Sequence, residues 1–396
     1  MRGPVTAALA PTLGLVLAAI AASAFACDAD EASPMAGSPA GGAAGASGAG
    51  LGGATSCVPP SGLVDLASAK TSANTLDKLC VVAPGPDGTI LPLGRTVPYD
   101  LLSPLFSDYL LKSRTVWLPE GQKATYTDDG VFAFPVGTIV TKTFAYADDL
   151  RNPNANRHLV ETRVLVKTAD DWLSLPYLWD EAGKVATLSV GGTIKPLSFL
   201  REDGTPLALS YLVPNKNQCI QCHEDLAKTE LIGPKARNLN RDFTYPEGKE
   251  NQLAHWARVG LLAGAPAPEI APRLAAWDDP SETIERRARS WLEINCAHCH
   301  NERGAGRTSG LYLWASVPEA SPTLGICKPV VAAGAGAGTF KFDIVPGKPD
   351  ESIMMFRMRS VDPAIMMPEL GRSVVHDASV DLVGQWISGL SGSCSP

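Results

Sequence analysis

Between residues 98 and 212, apolar and polar positions follow one another with the period of two that is typical of β-strands. The stretches I-V-T-K-T-F, L-V-E-T-R-V-L-V and A-T-L-S-V are rich in β-branched residues, and turn-forming clusters such as D-D-L-R-N-P-N-A-N separate them. Alternation predicts that one face of the second stretch carries Val160, Thr162, Val164 and Val166. Glu161 and Arg163 fall on the other face, where we expect a solvated or ion-paired surface. The pattern predicts a mostly antiparallel β domain.

In the C-terminal half the apolar spacing changes to three and four residues, which indicates helices joined by long loops. Asp279, Pro280 and Glu282 stand in the order of an N-cap, a first-turn proline and an acid at the third position. The stripe that follows predicts a helix ending at Cys296, and its members are Ile284, Ala288, Trp291, Leu292 and Asn295. A last helix is predicted from about Ala378 by the spacing of Val380, Val383, Ile387 and Leu390.

The first residues have the features of an export signal. Arg2 provides a short positive region, and no charged residue follows from Gly3 to Ala26. Residues 1–26 are therefore predicted to be a removed signal peptide, and an uncleaved membrane anchor is the alternative. The stretch A-F-A-C, which ends at Cys27, resembles the lipobox of bacterial lipoproteins, in which the cysteine becomes the lipidated N-terminus. Ordinary cleavage nearby is the alternative to lipidation.

Two stretches repeat one arrangement of cysteine and histidine. They are N-Q-C-I-Q-C-H, with Cys219, Cys222 and His223, and N-C-A-H-C-H, with Cys296, Cys299 and His300. The C-x-x-C-H pattern is typical of covalent haem attachment, in which two thiols bind the vinyl groups and the adjacent imidazole binds the iron from the proximal side. The sequence therefore predicts two covalently bound haem c groups, with His223 and His300 as the proximal metal ligands.

A zinc site and a thioredoxin-like redox site are the competing interpretations. Zinc sites built from two C-x-x-C pairs usually keep the pairs about 15 to 20 residues apart. Here Cys222 and Cys296 are 74 positions apart. Thioredoxin-like chemistry does not require a histidine after each pair. Haem attachment therefore explains both motifs better.

The number of cysteines and the segment after the signal support a lipid at Cys27. Nine cysteines less the four in the motifs leave five, an odd number for an exported chain. If Cys27 carries lipid, the others can form two disulfides, and we expect local pairing of Cys57 with Cys80 and Cys327 with Cys394. Residues 27–56 are rich in Gly, Ala and Ser, which predicts a flexible tether reaching about 30 Å.

The second axial ligand of the haem on His300 has few candidates. A c-type haem in an electron carrier usually has Met or His there. All methionines beyond the tether lie between residues 354 and 367. Met367 precedes Pro368 in a loop bounded by prolines, so Met367 is the predicted ligand, with Met366 as the alternative.

The haem on His223 would have to borrow a ligand from the last segment, use a histidine or keep an open position. His255 follows Cys222 by 33 residues on the amphipathic stretch N-Q-L-A-H-W-A-R-V-G-L-L, which makes it the candidate ligand. The other histidines outside the proximal positions have weaker cases, and they are His158, His298 and His376.

Six stretches carry a family resemblance. Four belong to the C-terminal half, R-A-R-S-W-L-E-I-N-C-A-H-C-H-N, V-P-N-K-N-Q-C-I-Q-C-H, I-G-P-K-A-R-N-L-N-R-D-F and N-Q-L-A-H-W-A-R-V-G-L-L. Two belong to the strand-rich part, Y-D-L-L-S-P-L-F-S-D-Y and F-P-V-G-T-I-V-T-K-T-F. Together they resemble a bacterial family of two-haem c-type cytochromes with a β-rich N-terminal domain, over roughly Gly88 to the C-terminus. Residues 300–396 separately resemble a single-haem cytochrome c domain. The resemblance implies haem binding and electron transfer.

The predicted fold class is α+β multidomain, with an antiparallel β-rich N-terminal domain followed by α-helical haem segments of cytochrome c type. The predicted divisions are a signal peptide 1–26, a tether 27–56, a β-rich domain 57–212, a first haem segment 213–280 and a cytochrome c domain with the second haem 281–396.

The predicted function is electron relay between redox partners outside the cytoplasm of a bacterium, by a periplasmic protein tethered to a membrane. The formal net charge of -7 and the pI near 5.5 argue against nucleic acid as a partner. The alternative is a haem enzyme, such as a peroxidase or a small-molecule oxidase, in which the second haem supplies electrons to an open first haem. A purely structural surface module would leave two haems without a purpose. We expect an electron carrier rather than a catalyst.

We predict that native protein carries a diacylglyceryl group on Cys27, because a tether and an unpaired cysteine both follow a cleavable signal. Intact mass and N-terminal analysis of membrane-extracted protein should find the lipid, and a Cys27→Ser variant should leave the membrane fraction. A free N-terminus at another residue, without lipid, would disprove the anchor.

Overall fold

The largest element of the structure is an antiparallel sheet of six strands. The computed structural model describes residues 57–331 and 334–395, so the predicted signal peptide, tether and Cys27 lie outside the described residues. The described strands are β1 (Val82–Pro84), β2 (Ile90–Pro92), β3 (Val97–Tyr99), β4 (Leu111–Trp117), β5 (Ala124–Thr125), β6 (Ile139–Ala147), β7 (Arg157–Lys167), β8 (Trp172–Trp179), β9 (Ala186–Leu188), β10 (Thr193–Leu200), β11 (Pro206–Val213), β12 (Glu224–Asp225), β13 (Lys228–Thr229), β14 (Asp242–Tyr245), β15 (Gly248–Asn251) and β16 (Leu262–Ala263).

The six strands are ordered β3-β4-β6-β7-β8-β9, and every neighbouring pair is antiparallel. The sheet lies where the alternating pattern predicts strands. Strands β10 and β11 form a separate hairpin over eight residue pairs. The other described strands form short pairs, β1-β2, β12-β13, β14-β15 and the parallel pair β5-β16.

Both faces of the large sheet are buried. One face packs Ile139, Val164, Leu175 and Tyr177 against the N-terminal segment, which contributes Leu76, Leu79 and Val81. The other face packs Val116, Val140 and Trp172 against the chain beyond the sheet, which contributes Leu239, Leu253 and Trp256. Glu161 is consequently 0% exposed, and it is ion-paired rather than solvated, because it accepts hydrogen bonds from Arg163 (2.6 Å) and from the Tyr211 hydroxyl (2.7 Å). Burial of a carboxylate requires such partners.

A β-bulge changes the predicted face of one residue in β7. The register between β6 and β7 shifts between Phe144 and Ala145, which pair with Glu161 and Leu159 respectively and leave Val160 as the extra residue. Val164 and Val166 pack in the cluster of the N-terminal face, as the alternation predicts. Val160 instead packs with Phe144 on the opposite side. The expectation that Val160 shares the face of Val164 is therefore wrong.

The helices are short. The described α-helices are α1 (Leu66–Ser72), α2 (Lys216–His223), α3 (Ala236–Leu239), α4 (Gln252–Arg258), α5 (Ile284–Leu292), α6 (Ile353–Arg359) and α7 (Asp377–Gly389), and one π-helical turn spans Glu293–Ala297. Helix α7 matches the predicted last helix and has 13 residues, whereas the others have nine or fewer. None of the helices in the described ranges is long and apolar enough to cross a membrane.

The predicted fold class is wrong, because the structure is β-rich and its described residues form no strong α-helical cytochrome c segment. The chain between α5 and α6 is mostly irregular backbone with short 3-10 turns. The 37 glycines and 32 prolines of the chain are the physical reason, since both residue types interrupt helices. Described residues from both halves belong to one compact unit, Ala54–Pro396.

Helix α5 begins later than predicted. Thr283 is its N-cap, and its side chain accepts a hydrogen bond from the backbone N–H of Arg286. The Asp279 side chain instead accepts hydrogen bonds from the backbone N–H (2.9 Å) and the hydroxyl (2.7 Å) of Ser281. An aspartate can stabilise a turn in the same way as it caps a helix, so the local sequence does not distinguish the two.

The segment between β3 and β4 joins the sheet to the C-terminal part of the chain. The backbone N–H of Phe106 donates to Oδ1 of Asn295 at 2.7 Å. Asp108, which is 2% exposed, accepts from the backbone N–H of Ser373 (2.7 Å) and of Val374 (3.1 Å). Burial raises the pKa of Asp108, and these hydrogen bonds oppose the rise. The segment thereby holds the loops around residues 295 and 373 on the sheet.

The predicted disulfides are confirmed. Cys57 pairs with Cys80 and Cys327 pairs with Cys394, with Cα separations of 5.3 and 5.1 Å. The four motif cysteines have free thiols. The second disulfide encloses α6 and α7, so it joins the last helix covalently to the irregular chain before α6.

We predict that replacing Cys327 and Cys394 together by serine lowers the free energy of unfolding by about 2–4 kcal/mol, because the unfolded chain gains conformational freedom. Replacing Cys57 and Cys80 should have a smaller effect, since that pair is 23 rather than 67 residues apart. Urea unfolding of both double variants measures the order. A larger loss from the shorter loop would contradict the loop-closure explanation.

Candidate functional site

The first C-x-x-C-H motif lies on helix α2. The Asn215 side chain accepts from the backbone N–H of Gln218, and the Gln218 side chain accepts from the backbone N–H of Asn215, each at 2.9 Å. This reciprocal cap starts the helix just before the motif. Cys219 and Cys222 are then three residues apart on one side of α2, and His223 is its last residue.

His223 is held in one orientation by the backbone. Its Nδ1 lies 2.6 Å from the carbonyl oxygen of Glu230, so the Nδ1–H donates and the Nε2 lone pair remains available to a metal. Burial lowers the pKa of His223 to about 4, which keeps the imidazole neutral at pH 7. A neutral imidazole with an oriented ring is the form that binds a metal ion.

Helix α5 and the π-helical turn that follows it lead into the second motif, in which Cys296 lies within the turn and Cys299 and His300 follow it. The backbone N–H groups of Cys299 and His300 both donate to the carbonyl oxygen of Cys296, at 3.1 and 2.8 Å. The chain then passes back over the motif at Gly304, where a Cβ atom would lie 2.5 Å from the carbonyl oxygen of Cys299. Only glycine allows this close approach.

His300 resembles His223 in its surroundings. Its Nδ1 lies 3.3 Å from Oγ of Ser309, and the Ser309 hydroxyl itself donates to the carbonyl oxygen of Gly306 at 2.7 Å. The serine oxygen is therefore the acceptor for the Nδ1–H, and Nε2 remains available. Burial lowers the pKa of His300 to about 4. Both motif histidines are therefore neutral imidazoles, and each has its Nε2 available to a metal ion.

The structure brings the two motifs together at their second cysteines. The Sγ atoms of Cys222 and Cys299 and a ring nitrogen of His298 all lie within 4.8 Å of one another. A hydrogen bond from Cys299 lowers the pKa of the Cys222 thiol well below its usual range. His298 is buried and its Nδ1 has no hydrogen-bond partner within the described ranges. His298, which has a weak case as a ligand in the sequence, lies between the two motifs.

Ion pairs join the segments that follow the two motifs. Arg303 pairs with Asp225, and Nη1 of Arg307 lies 3.1 Å from Oε1 of Glu224. The backbone N–H of Leu226 also donates to the carbonyl oxygen of Arg303 at 3.0 Å. Exposed ion pairs of this kind each contribute little, but the backbone bond and both pairs act at one junction. The contact between the motifs is therefore specific.

The first motif borders a large cleft. Its empty volume, open solvent included, is about 1240 Å³, and Cys219, Cys222 and His223 form part of its wall. The apolar side chains of the wall include Tyr99, Leu101, Val140, Leu165, Leu231 and Ile294. His298 also faces this cleft. Apolar walls with a few converging polar groups are typical of a cofactor site.

Met367 borders a second, smaller cavity, whose empty volume, open solvent included, is about 330 Å³. Its backbone is fixed there, because its N–H donates to the carbonyl oxygen of Arg357 (3.1 Å) and its carbonyl oxygen accepts from Nη2 of Arg372 (2.9 Å). His376 lines the same cavity and stacks on Phe106 at 4.4 Å between ring centroids. The wall of this cavity does not include Cys296, Cys299 or His300. The structure therefore places Met367 near the second motif without bringing it to His300.

The loop after Met367 separates the two spaces. Pro368, Leu370 and Gly371 line both the cleft of the first motif and the smaller cavity. Met366 is not part of either wall and is buried at 9% exposure. Of the two methionines, Met367 is the one that the structure brings to a cavity.

The structure does not bring His255 to the cleft. Its ring stacks on Tyr245 with 3.4 Å between ring centroids, and its Nδ1 lies 2.9 Å from Oε2 of Glu250. Helix α4, which carries His255, packs on the hydrophobic core through Leu253 and Trp256. Because its ring is covered by Tyr245 and it does not line the cleft, we leave His255 out of the ligand set. The amphipathic pattern around it reflects core packing.

A buried ion pair lies three residues before Cys296. Glu293, which is 2% exposed, pairs with Arg237, and its Oε2 accepts from the backbone N–H of Ala315 at 3.0 Å. The ammonium group of Lys235 lies 4.0 Å from the ring centroid of Trp314 beside this pair. These contacts hold the π-helical turn in place.

The residues fit covalent haem c in their donor chemistry. Each motif supplies two free thiols at the attachment spacing and an imidazole whose Nε2 is free and whose Nδ1 donates to a protein oxygen. The first motif also has an apolar cleft beside it. No protein-family model, curated protein or solved structure matches the chain.

We predict that Glu293→Ala lowers the free energy of unfolding by about 3 kcal/mol, because it leaves the largely buried Arg237 guanidinium without its nearest carboxylate. Glu285→Ala, in helix α5 just before the turn that contains Glu293, is the matched control. Glu285 is 52% exposed and lies 3.8 Å from Arg289, so its loss should stay below about 1 kcal/mol. Equal losses of unfolding free energy in the two variants, measured with urea, would show that the buried ion pair stabilises the protein no more than the exposed one.

Proposed function

We propose that the protein is a two-haem c-type cytochrome that passes electrons between redox partners outside the cytoplasm. The observation that carries the proposal is the pair of C-x-x-C-H motifs that adjoin at Cys222 and Cys299, each with a neutral histidine held through its Nδ1. The similarity of several stretches to two-haem cytochromes supports the same function.

The proposed roles follow from the donor atoms. Cys219 and Cys222 would hold one porphyrin through thioether bonds, and His223 would bind its iron through Nε2. The equivalent residues for the second porphyrin are Cys296, Cys299 and His300. Haem c, when bound, supplies an iron that changes between the ferric and ferrous states and so carries one electron. The protein contributes attachment, orientation of the imidazoles and exclusion of water.

The contact between the motifs favours relay over two independent sites. The Sγ atoms of Cys222 and Cys299 lie within 4.8 Å, so groups attached through them would be neighbours. The ion pairs of Arg303 and Arg307 across the junction oppose separation of the two segments. We keep Met367 as the proposed second ligand of the haem on His300.

The proposed location is the periplasm, with a membrane tether through lipid at Cys27. The charge-free stretch after Arg2 and the composition of residues 27–56 support it. Two disulfides in the described chain are consistent with an oxidising compartment.

One observation favours a haem enzyme as the second candidate. The wall of the first cleft contains no methionine, and its histidines are His223 and His298. Unless His298 bound the iron, a haem held by His223 would keep a position open to a small molecule in the cleft. A high-spin ferric signal from one of the two haems in electron paramagnetic resonance would favour the enzyme, whereas two low-spin signals would favour the carrier.

Another observation favours a structural metal site. Cys222, His298 and Cys299 supply the donor types of a Cys₂His zinc site within one small volume. Sequence separation of the two C-x-x-C pairs argues against zinc, but the fold brings one cysteine of each pair together. Measured metal content must therefore accompany every haem assay.

We predict two covalent haems per chain in protein expressed with cytochrome c maturation machinery, measured by pyridine haemochrome and by mass. Changing Cys219 and Cys222 together to serine should leave one haem, and so should changing Cys296 and Cys299, because each motif has its own pair of thiols. A chain without covalent haem that contains about one zinc ion per molecule would replace the cytochrome by the metal site.

A further inference from the structure

Three cations lie side by side across adjacent strands of the large sheet. The register pairs Arg114 of β4 with Lys142 of β6, and Lys142 with Arg163 of β7. Directly opposed residues in neighbouring strands project from the same face, so the three side chains form one row. Like charges in this arrangement repel one another and destabilise a sheet. A row of this kind requires compensation.

The two outer cations of the row are compensated by carboxylates. Nη1 of Arg114 lies 2.7 Å from Oδ1 of Asp100, and Nη2 of Arg163 lies 2.6 Å from Oε1 of the buried Glu161. Both arginines are therefore held in fixed orientations by charge-assisted hydrogen bonds.

The central cation has no such partner. Among the residues that the structure describes, no carboxylate oxygen lies within 4.0 Å of Nζ of Lys142. Its ammonium group lies 4.7 Å from the ring centroid of Phe144, and the same ring accepts the Arg163 guanidinium at 4.4 Å. Burial, together with Arg114 and Arg163, lowers the pKa of Lys142 well below its usual range. A nearby anion would favour the charged form of Lys142 and so raise its pKa toward the usual range.

The row faces the cleft of the first motif. Arg114, Lys142 and Arg163 line that cleft together with Cys219 and His223. Ser174 and Gln218 add a hydroxyl and an amide group to the same wall. The cationic row and the candidate haem-attachment residues therefore line the same cleft.

We propose that Lys142, between Arg114 and Arg163, is the centre of an anion-binding site in this cleft, and that its ligand is a carboxylate or a small oxyanion. Two sources supply this chemistry. One is a propionate of the haem on His223, and this source rests on the proposed function. The other is a small soluble anion that enters the cleft, which does not depend on haem.

The test compares full-length protein with three variants. Lys142→Gln removes the charge, Lys142→Arg keeps it, and Lys167→Gln removes a lysine of strand β7 that does not line the cleft. The measurements are the midpoint of thermal unfolding and the reduction potential of each haem. Sodium phosphate and sodium formate are the probes, and sodium chloride at equal ionic strength is the reference.

If the ligand is a soluble anion, phosphate or formate should raise the unfolding temperature of the wild type in a saturable way. The apparent affinity should be about tenfold weaker in Lys142→Gln, because a charge-assisted contact is lost. Lys142→Arg and Lys167→Gln should retain it.

If the ligand is the propionate, added anions should have no specific effect. The potential of one haem should then fall in Lys142→Gln alone, since loss of a positive charge favours the ferric state. Absence of both effects would overturn the anion site. A change of ferric spin state in Lys142→Gln would also overturn it, because it would place the amine on the iron.

The outcome stays separate from that of the proposed function. If the protein contains no covalent haem, the propionate source fails with the proposed function, and the thermal measurement alone decides the anion site. If Lys142→Gln does not fold, Lys142→Leu, which keeps the apolar stem, takes its place in the same comparison.

Discussion

The register of β4, β6 and β7 is the constraint on which the rest of the structure depends. Because side chains alternate along a strand, this register decides which residues reach the cleft and which pack on the N-terminal segment. It aligns Arg114, Lys142 and Arg163 in one row and places Val164 on the opposite face. A shift by one residue would exchange the two sets. Burial of the aliphatic side chains on one face therefore determines which polar side chains lie on the other face.

The C-terminal half depends on that sheet for its order. Its helices are too short to be stable alone, because isolated helices shorter than about 12–15 residues are marginal in water. Helices α3 and α4 pack on side chains of the sheet such as Val116 and Trp172, and α5, α6 and α7 pack on one another. The loops that contain Asn295 and Ser373 are joined to the segment between β3 and β4 by hydrogen bonds, in which the Phe106 N–H donates and the Asp108 carboxylate accepts. The two C-x-x-C-H motifs, which are far apart in sequence, come together because both segments rest on the same support.

Local patterns predicted the features that depend on neighbouring residues. The alternation identified the antiparallel strands, the three- and four-residue spacing identified α7, and cysteine parity led to both disulfides. The bulge at Val160 was not predictable, because the alternation from Val160 to Val166 continues without a break and the extra residue leaves no mark on it. The late start of α5 was missed because Asp279 stabilises a turn with the residue type that also caps helices.

Some residues of the candidate site could be predicted from local sequence, and others could not. The motif cysteines and histidines are recognisable from spacing alone, whereas the position of His298 between the motifs depends on tertiary contacts. The expected helical haem domain failed because helix-like spacing occurs only in short runs among many glycines and prolines. The cationic row was also invisible in sequence, since its members belong to three strands and meet only through pairing.

The disulfide between Cys327 and Cys394 has a consequence for the survival of the chain under proteolysis. The segment between these cysteines contains α6, Met367 and α7, and its most accessible described stretch includes Val361 at 54% exposure. A protease that cuts once in this segment opens the backbone but releases no fragment, because the sulfur bridge keeps both ends attached. The nicked protein would keep its mass without reductant and lose it with reductant. Helix α7 would remain at its packing site, so a single cut would not by itself dismantle the walls of the smaller cavity.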